Sequence, residues 1–293
     1  MRIYDNHSHT REYSLDGKQT FDELIADAEA AGLAGFMITE HYDKDLIDGI
    51  PHPRVSDYGA PAAPGEWIFP FGPVLERTQA AREQLRARGS ELEILHGIEI
   101  GWLPYQNPGL WDWMAENGKD FDGIIAAVHC VDGRDIYYDR RSYEEGRKAA
   151  YGRYLDHAID LLRADLDFDI LGHFDYVERY AGFENPRMRY EEQAERLDEL
   201  FRLLIAQGKS IEFNTRTRYR TLASSGIDIG APDGAILRRY LELGGERVSL
   251  SSDCHEDHNV GRYFSDMIEW FRANGLRYLT HFKGRQAVFN SIE

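Results

Sequence analysis

Seven short apolar runs, spread along the whole chain and each ending on a histidine, carboxylate or amide, constrain this sequence more than any other feature. The first, Met1-Arg2-Ile3-Tyr4, leads into Asp5-Asn6-His7-Ser8-His9-Thr10. The others are Ala34 to Thr39 before Glu40-His41, Leu92 to Ile98 before Glu99, Gly123 to Val128 before His129, Phe168 to Gly172 before His173, Ser210 to Phe213 before Asn214, and Arg247 to Ser252 before Asp253-Cys254-His255. Each is short enough to be a buried strand. Helical patterns fall between most of them. Thr20 caps the first, with Glu23 three residues on, and Phe21, Leu24, Ile25 and Ala28 form its apolar stripe. Further helices are predicted at about 74–88, 151–164, 190–206, 233–243 and 260–273.

Strand, helix, strand repeated in this way predicts parallel βαβ units. With no linker and no compositional break, the expectation is an α/β fold in one domain over residues 1–293, a single distorted (β/α)7 TIM-like barrel. A doubly wound open sheet is the alternative, but it gathers ligands at one switch point, whereas here every strand ends on a polar residue. A long insertion at about 42–72, with prolines at 51, 53, 61, 64 and 70, interrupts the rhythm and suits a functional loop. A last strand-like segment, Arg277 to Phe282, is expected to close the chain.

Composition excludes several function classes. The formal charge of −17 repels polyanions, so broad nucleic-acid binding is not expected. No apolar run approaches the ~18 residues that span a bilayer, and the start has no signal-like apolar region, so no membrane partner is expected. Two cysteines, Cys130 and Cys254, imply no disulfide framework, and the expected location is cytoplasmic.

In a parallel barrel the strand ends converge on one rim. That rim would collect His7, His9, His41, Glu99, His129, His173, Asp253 and His255, with Asp16 from the first turn. His7 and His9, two apart on one strand, share a face. Mixed imidazole and carboxylate donors suit Zn²⁺, Mn²⁺ or Fe²⁺, and the lack of a thiolate cluster argues against a structural zinc site. His96, inside a strand, and His157, mid-helix, read as structural, while His52, His258 and His281 are candidates to touch substrate from the rim. Cys254 alternates with Asp253 and His255, so it should face the helix layer.

The runs His7-Ser8-His9-Thr10, Thr39-Glu40-His41, Gly97-Ile98-Glu99, Val128-His129, Leu171-Gly172-His173-Phe174-Asp175, Glu212-Phe213-Asn214 and Ser252-Asp253-Cys254-His255 resemble, in order and nearly end to end, the polymerase and histidinol phosphatase (PHP) superfamily. Within it they resemble the histidinol-phosphate phosphatase branch. The resemblance implies a distorted seven-stranded barrel with three divalent metal ions. One would sit on His7, His9, Glu99 and Asp253, and a second would share Glu99 and add His129 and His173. The third would use Asp16, His41 and His255, with Asp16 where relatives often place a histidine.

Three divalent ions against three carboxylates leave a positive surplus, which suits a small phosphorylated substrate. A metal-bridging hydroxide attacking phosphorus in line, with no phosphoenzyme, is the implied reaction. Asp253 and His255 are the candidates to protonate the leaving group. The resemblance places phosphate-binding arginines after His173 and after Asn214, where Arg179 and Arg218 are chosen. The expected activity is hydrolysis of L-histidinol phosphate. The alternatives are a PHP phosphoesterase acting on a nucleotide, a cyclic phosphodiester or a sugar phosphate, and a non-catalytic metal-binding barrel. For the cationic end of histidinol phosphate the sequence offers Asp43, Asp45, Asp48, Glu256 and Asp257, with Tyr42 or Trp67 over the ring.

Overall fold

The structure is a computed structural model that describes residues 1–14, 16–42, 71–103, 107–137 and 139–293. The candidates Asp43, Asp45, Asp48, His52 and Trp67 lie outside the described residues.

Seven parallel strands form the barrel: β1 (Tyr4–Ser8), β2 (Gly35–Ile38), β3 (Glu93–Gly101), β4 (Gly123–Ala127), β5 (Ile170–Leu171), β6 (Ser210–Asn214) and β7 (Val248–Ser251). They are hydrogen-bonded in chain order, and a parallel bridge from Ser8 to Cys254, with His9 N–H donating to the Cys254 carbonyl at 3.0 Å, brings β7 back to β1. The sheet thus nearly closes. Beyond Ile38 the second strand resumes at His41–Tyr42, which pairs with Glu99–Ile100.

The barrel interior follows from strand periodicity. Leu95 and Glu99 on β3, and Ile125 and His129 on and just past β4, lie four residues apart and share a face. Their lower members pack with Tyr4, Met37, Ile170 and Phe282 to fill the barrel floor. On β1 the same interior position is reached by Tyr4 and then His7, three residues apart. A register irregularity between Asp5 and Ser8 opposes four residues of β1 to three of β2, and this extra residue restores His7 and His9 to the inside. Gly97 leaves room inside: a Cβ there would lie 2.7 Å from the Met37 side chain.

Helices cover the outside. In α1 (Phe21–Ala30) the Thr20–Glu23 capping box forms, and Phe21, Leu24, Ile25 and Ala28 are buried against the sheet. Around the barrel follow α2 (Phe71–Ala87), α3 (Asn107–Asn117), α4 (Arg147–Arg163), the single turn α5 (Tyr176–Arg179), α6 (Tyr190–Gln207), α7 (Arg216–Ser225), α8 (Gly234–Glu242) and α9 (Phe264–Ala273). Among the described residues no helix is long and apolar enough to cross a membrane.

The final strand-like segment does not join the barrel. It pairs as an antiparallel hairpin, β8 (Tyr278–Lys283) with β9 (Gln286–Ser291), packed under the barrel floor. His281 is therefore at the end opposite the strand termini, stacked on Tyr4 with ring centroids 3.7 Å apart, so the expectation that it touches substrate is corrected. The chain's last apolar residues serve as a plug because the barrel floor, formed by short strands, would otherwise expose Leu95, Ile125 and Ile170.

Candidate metal centre

Glu99 is the hub of the rim. It is buried at the end of β3, and five imidazoles lie near its two oxygens. Oε1 lies 2.8 Å from His173 Nε2 and 3.1 Å from His129 Nε2. Oε2 lies 2.7 Å from His41 Nδ1, 3.3 Å from His7 Nε2 and 3.5 Å from His9 Nε2. Asp253 Oδ1 approaches the same two ring nitrogens of His7 and His9, at 3.8 and 3.6 Å. On the far side of His9, the Nε2 atoms of His41 and His255 are 3.3 Å apart, and Asp16 is 3.4 Å from the first and 3.0 Å from the second. All eight strand-end candidates and Asp16 therefore lie together. Three triads bring their donor atoms within 4.8 Å of one another: His7, His9 and Glu99; Glu99, His129 and His173; His9, His41 and His255.

These donors fit divalent metal. His7 Nε2, His9 Nε2, Glu99 Oε2 and Asp16 Oδ1 are buried and carry no hydrogen bond, yet they face one another. Buried lone pairs left in this way cost free energy unless a cation satisfies them. Charge reads the same way. Burial pushes Glu99 up, but His7, His41 and His129 outweigh it and hold the carboxyl well below its usual range. Burial likewise opposes ionisation of Asp253, and Arg216, His7 and Arg179 hold it well below the carboxylate norm. His9 is pushed well down by burial and by its imidazole neighbours, so its nitrogen offers a lone pair.

The tautomers are set by a second ring of residues that strand-end reading does not reach. Glu212, buried on β6, accepts from His7 Nδ1 at 2.8 Å and takes the His173 backbone N–H on its other oxygen. With Nδ1 protonated, His7 must aim the Nε2 lone pair into the cluster. Ser14 Oγ stands 3.3 Å from His9 Nδ1 and donates to Glu40 at 2.5 Å. Glu40 also accepts from Thr10 Oγ1 at 2.6 Å, and its burial pushes its pKa up to about 7. The available signal for Glu212 was its spacing two before Asn214, which puts both on one face of β6.

The arginines divide differently from expectation. Arg179, on the turn α5, donates to Asp253 Oδ2 at 2.9 Å and is buried. Arg216 opens α7 and donates to Asp253 Oδ1 at 2.8 Å, close also to the His255 ring. Arg218 is corrected: its guanidinium forks onto Asp228 at 2.7 and 2.8 Å, reaches Asp266 at 2.7 Å and covers Tyr263. The segment after Asn214 is a helix, and residues two apart on a helix point ~200° apart. Arg216 and Arg220, four apart, share the face toward the rim, and Arg218 does not.

A cavity of about 300 Å³ opens over the cluster. Glu99, Asp253 and His255 floor it, Arg179, Arg216 and Arg220 border it, and loop residues including Lys18, Asp135, Tyr137 and Glu256 wall it. The remaining histidines are elsewhere. His258 pairs with Asp27 and is exposed, and His157 pairs with Asp132. His96 is buried and stacked on Phe121. Cys254 faces outward into the α1 layer, where Gln19 Nε2 donates to its sulfur at 3.1 Å.

A nearly closed (β/α)7 barrel with imidazole and carboxylate donors gathered at six of its seven strand ends defines a class of α/β barrels suited to metal. The chain belongs to the PHP domain family, whose sequence pattern matches residues 5–216 and so takes in the rim from His7 to Arg216. It is similar to the probable histidinol-phosphatase of Clostridium acetobutylicum, 26% identical over 270 residues that cover 91% of this chain and 92% of that one. It is also similar to the histidinol-phosphatase of Lactococcus lactis subsp. lactis, 24% identical over 263 residues that cover 87% and 85%. In three dimensions it resembles the crystal structure of histidinol phosphate phosphatase from Lactococcus lactis complexed with zinc, L-histidinol and phosphate. The TM-score is 0.77 at 22% identity, over 98% of this chain and 99% of that one. A putative histidinol phosphatase from Listeria monocytogenes gives a TM-score of 0.71 at 19% identity, over 90% and 99%.

Proposed function

We propose that this chain is a metal-dependent phosphomonoesterase that hydrolyses L-histidinol phosphate to histidinol and phosphate, as a single barrel domain holding three divalent ions. One observation carries the reading: a single cavity is floored by the ligand cluster and bordered by Arg179, Arg216 and Arg220. Anion-binding forks beside a metal cluster suit a phosphate dianion. Relatives of nearly full coverage are named histidinol-phosphatases, and the Lactococcus lactis structure is described with zinc, histidinol and phosphate. This supports the substrate and favours zinc over manganese or iron.

The ions would be held by His7, His9, Glu99 and Asp253; by Glu99, His129 and His173; and by Asp16, His41 and His255. Bound there, they would supply an activated water and neutralise charge on the phosphoryl oxygens. The chain's own residues do the rest. Asp253 fixes Arg179 and Arg216 on its two oxygens, so the two forks are set side by side before a substrate arrives. Arg216 touches both Asp253 and His255, the candidates we assign to take the proton released by the attacking water and pass it to the leaving alkoxide. Tyr176, its ring tilted against those of His129 and His173, shields that side of the cluster from water. The histidine biosynthetic role and a cytoplasmic location follow from this substrate.

The test is kcat/KM for histidinol phosphate against glycerol phosphate and a nucleoside monophosphate, on protein whose metal content has been measured. A preference of at least ~100-fold, about 2.7 kcal/mol of differential transition-state binding, is expected, with metal approaching three equivalents. A flat profile leaves a phosphatase of other specificity. No phosphate release from any ester leaves a metal-binding barrel without catalysis.

A further inference from the structure

Resting on the phosphatase reading above, we propose that Arg187 and Arg218 are positioning residues. With Glu178 and Asp228 they form a brace outside the cavity, which holds α5 and α7 at the spacing that lets Arg179 and Arg216 grip one phosphate together. The two forks need such a device because they come from separate elements. Arg179 ends the turn α5 and Arg216 begins α7. Inside the cavity they meet on Asp253, one oxygen each at 2.9 and 2.8 Å, a carboxylate also counted among the metal ligands.

The turn α5 cannot hold itself. A single helical turn has no propagation to offset its nucleation cost, so its place is set by what grips it. Glu178, the residue before Arg179, is buried and engaged away from the cavity. Its Oε1 accepts the Met188 N–H at 2.6 Å and its Oε2 accepts from Arg187 Nη1 at 2.8 Å. Arg187 then reaches further. Its Nε donates to the Ile229 carbonyl at 3.3 Å and its Nη2 to the Gly230 carbonyl, in the segment that follows α7. That segment is folded around Asp228, which accepts the Gly230 N–H at 2.9 Å and two bonds from Arg218 at 2.7 and 2.8 Å. Arg218 is on α7, two residues after Arg216, and its Nη1 also reaches Asp266 on α9 at 2.7 Å. The two forks are thus joined twice, through Asp253 within the cavity and through Glu178, Arg187, Asp228 and Arg218 outside it. None of these four is among the walls of the rim cavity.

The energetics favour placement over stability as the reason for this network. Arg187 and Glu178 are both buried, and a buried ion pair costs in lost hydration about what it returns, so apolar residues of the same size would serve a core as well. A planar guanidinium making hydrogen bonds to Glu178, Ile229 and Gly230 does what they cannot, which is to fix a direction. In-line transfer depends on that, since a displacement of ~1 Å in a positioning group costs ~100-fold in rate.

The experiment compares Arg187→Met, Arg218→Met and the double variant with wild type, all metal-loaded and assayed well below their melting temperatures. The quantities read are kcat, KM, the inhibition constant of inorganic phosphate and the bound metal. Arg187→Met should lower kcat/KM by ~30-fold or more and weaken phosphate inhibition by ~10-fold, with metal content unchanged. Arg218→Met loosens the brace at its more exposed end and should give a smaller loss of the same kind, ~3–10-fold. Because both cut one network, the double variant should stay within ~3-fold of Arg187→Met alone. Should Arg187→Met fail to fold, Glu178→Gln combined with Arg187→Met removes both buried charges, and the same losses are expected of it. A lower melting temperature with kcat, KM and phosphate inhibition within ~2-fold of wild type would mark a purely structural pair. That result overturns the brace and leaves the phosphatase reading standing. Losses that multiply in the double variant overturn it as well, since the two arginines would then act separately. If wild type neither hydrolyses a phosphate ester nor binds phosphate, the phosphatase reading fails and the brace with it.

Discussion

The two ends of the barrel are built from the same residue types and do opposite things with them. At the rim, buried imidazoles and carboxylates face one another, and several of their atoms have no hydrogen bond. At the floor, the carboxylates Asp169 and Asp122 and the ring of His281 each have a hydrogen-bond partner. Asp169 accepts from Arg285 Nε at 2.5 Å and from the Ile124 N–H at 2.8 Å. Asp122 accepts from Arg82 at 2.5 Å and from the His96 N–H at 2.9 Å. His281 stacks on Tyr4 and pairs with Asn290 at 2.7 Å. A buried histidine or acid is therefore not a sign of a site in itself. Convergent lone pairs without donors are, because the fold alone cannot satisfy them.

The largest effect should come from removing the carboxylate that two of the three triads share. Glu99 is within reach of five imidazole nitrogens, so Glu99→Gln should lower activity by ~1000-fold or more, about 4 kcal/mol, and should also reduce metal content by at least one equivalent. Metal analysis alongside the rate separates the two readings of the rim. A variant that keeps full metal loading would show that Glu99 is an ion-pair residue like those of the floor.

The sequence made this contrast only half visible. Strand ends were legible because apolar runs of strand length stop abruptly at polar residues, and period two fixed which of them face inward. Glu212 was not singled out, because a carboxylate within a strand looks the same whether it orients a histidine or points to solvent. The Arg216–Arg218 exchange has a sharper cause. Thr215-Arg216-Thr217-Arg218-Tyr219 has no apolar helical stripe, yet α7 is helical and buries Thr217, Tyr219 and Thr221, so mostly polar residues do the packing that the pattern assigns to apolar ones. The hairpin plug was legible only as a last strand-like segment, because nothing in one apolar run such as Leu279 to Phe282 states which partner it will take.

At the floor the expected loss is of stability and not of activity. Arg285 holds Asp169 and also donates to Asp167 at 2.9 Å. Burial pushes the Asp169 carboxyl up and Arg285 opposes this, so Arg285→Ala would strand a buried charge. A cost of ~3 kcal/mol is expected from breaking such a pair, read as a lower denaturant midpoint, with kcat within about two-fold of wild type. Restoring stability by the second change Asp169→Asn would locate the cost in the uncompensated carboxylate. A large fall in kcat from Arg285→Ala would mean that floor and rim are not independent.

The smallest effect concerns acid. Burial pushes His281 down to about 4 from an ordinary value of 6.5, with Lys283 and Arg2 adding to the shift and Glu93 and Asp122 opposing it. Above pH 6.5 the ring is neutral in both folded and unfolded chains, and it contributes nothing to pH dependence. As pH falls below 6.5 the unfolded chain takes up the proton first, so stability is lost progressively and the loss levels off below about 4. Replacing the ring by His281→Phe keeps a flat group against Tyr4 and removes the titration. The variant is expected to be less stable at pH 7, where it lacks the Asn290 hydrogen bond, and to lose on the order of 1–2 kcal/mol less than wild type between pH 7 and 4.5. Buried carboxylates with raised values, such as Asp175 at about 7, act in the opposite direction, and metal release at the rim adds its own acid sensitivity. Both are common to the two proteins and cancel in the difference. Parallel stability curves for wild type and His281→Phe would show that the floor histidine is protonated without penalty, and that the satisfied end of the barrel is more open to water than its packing indicates.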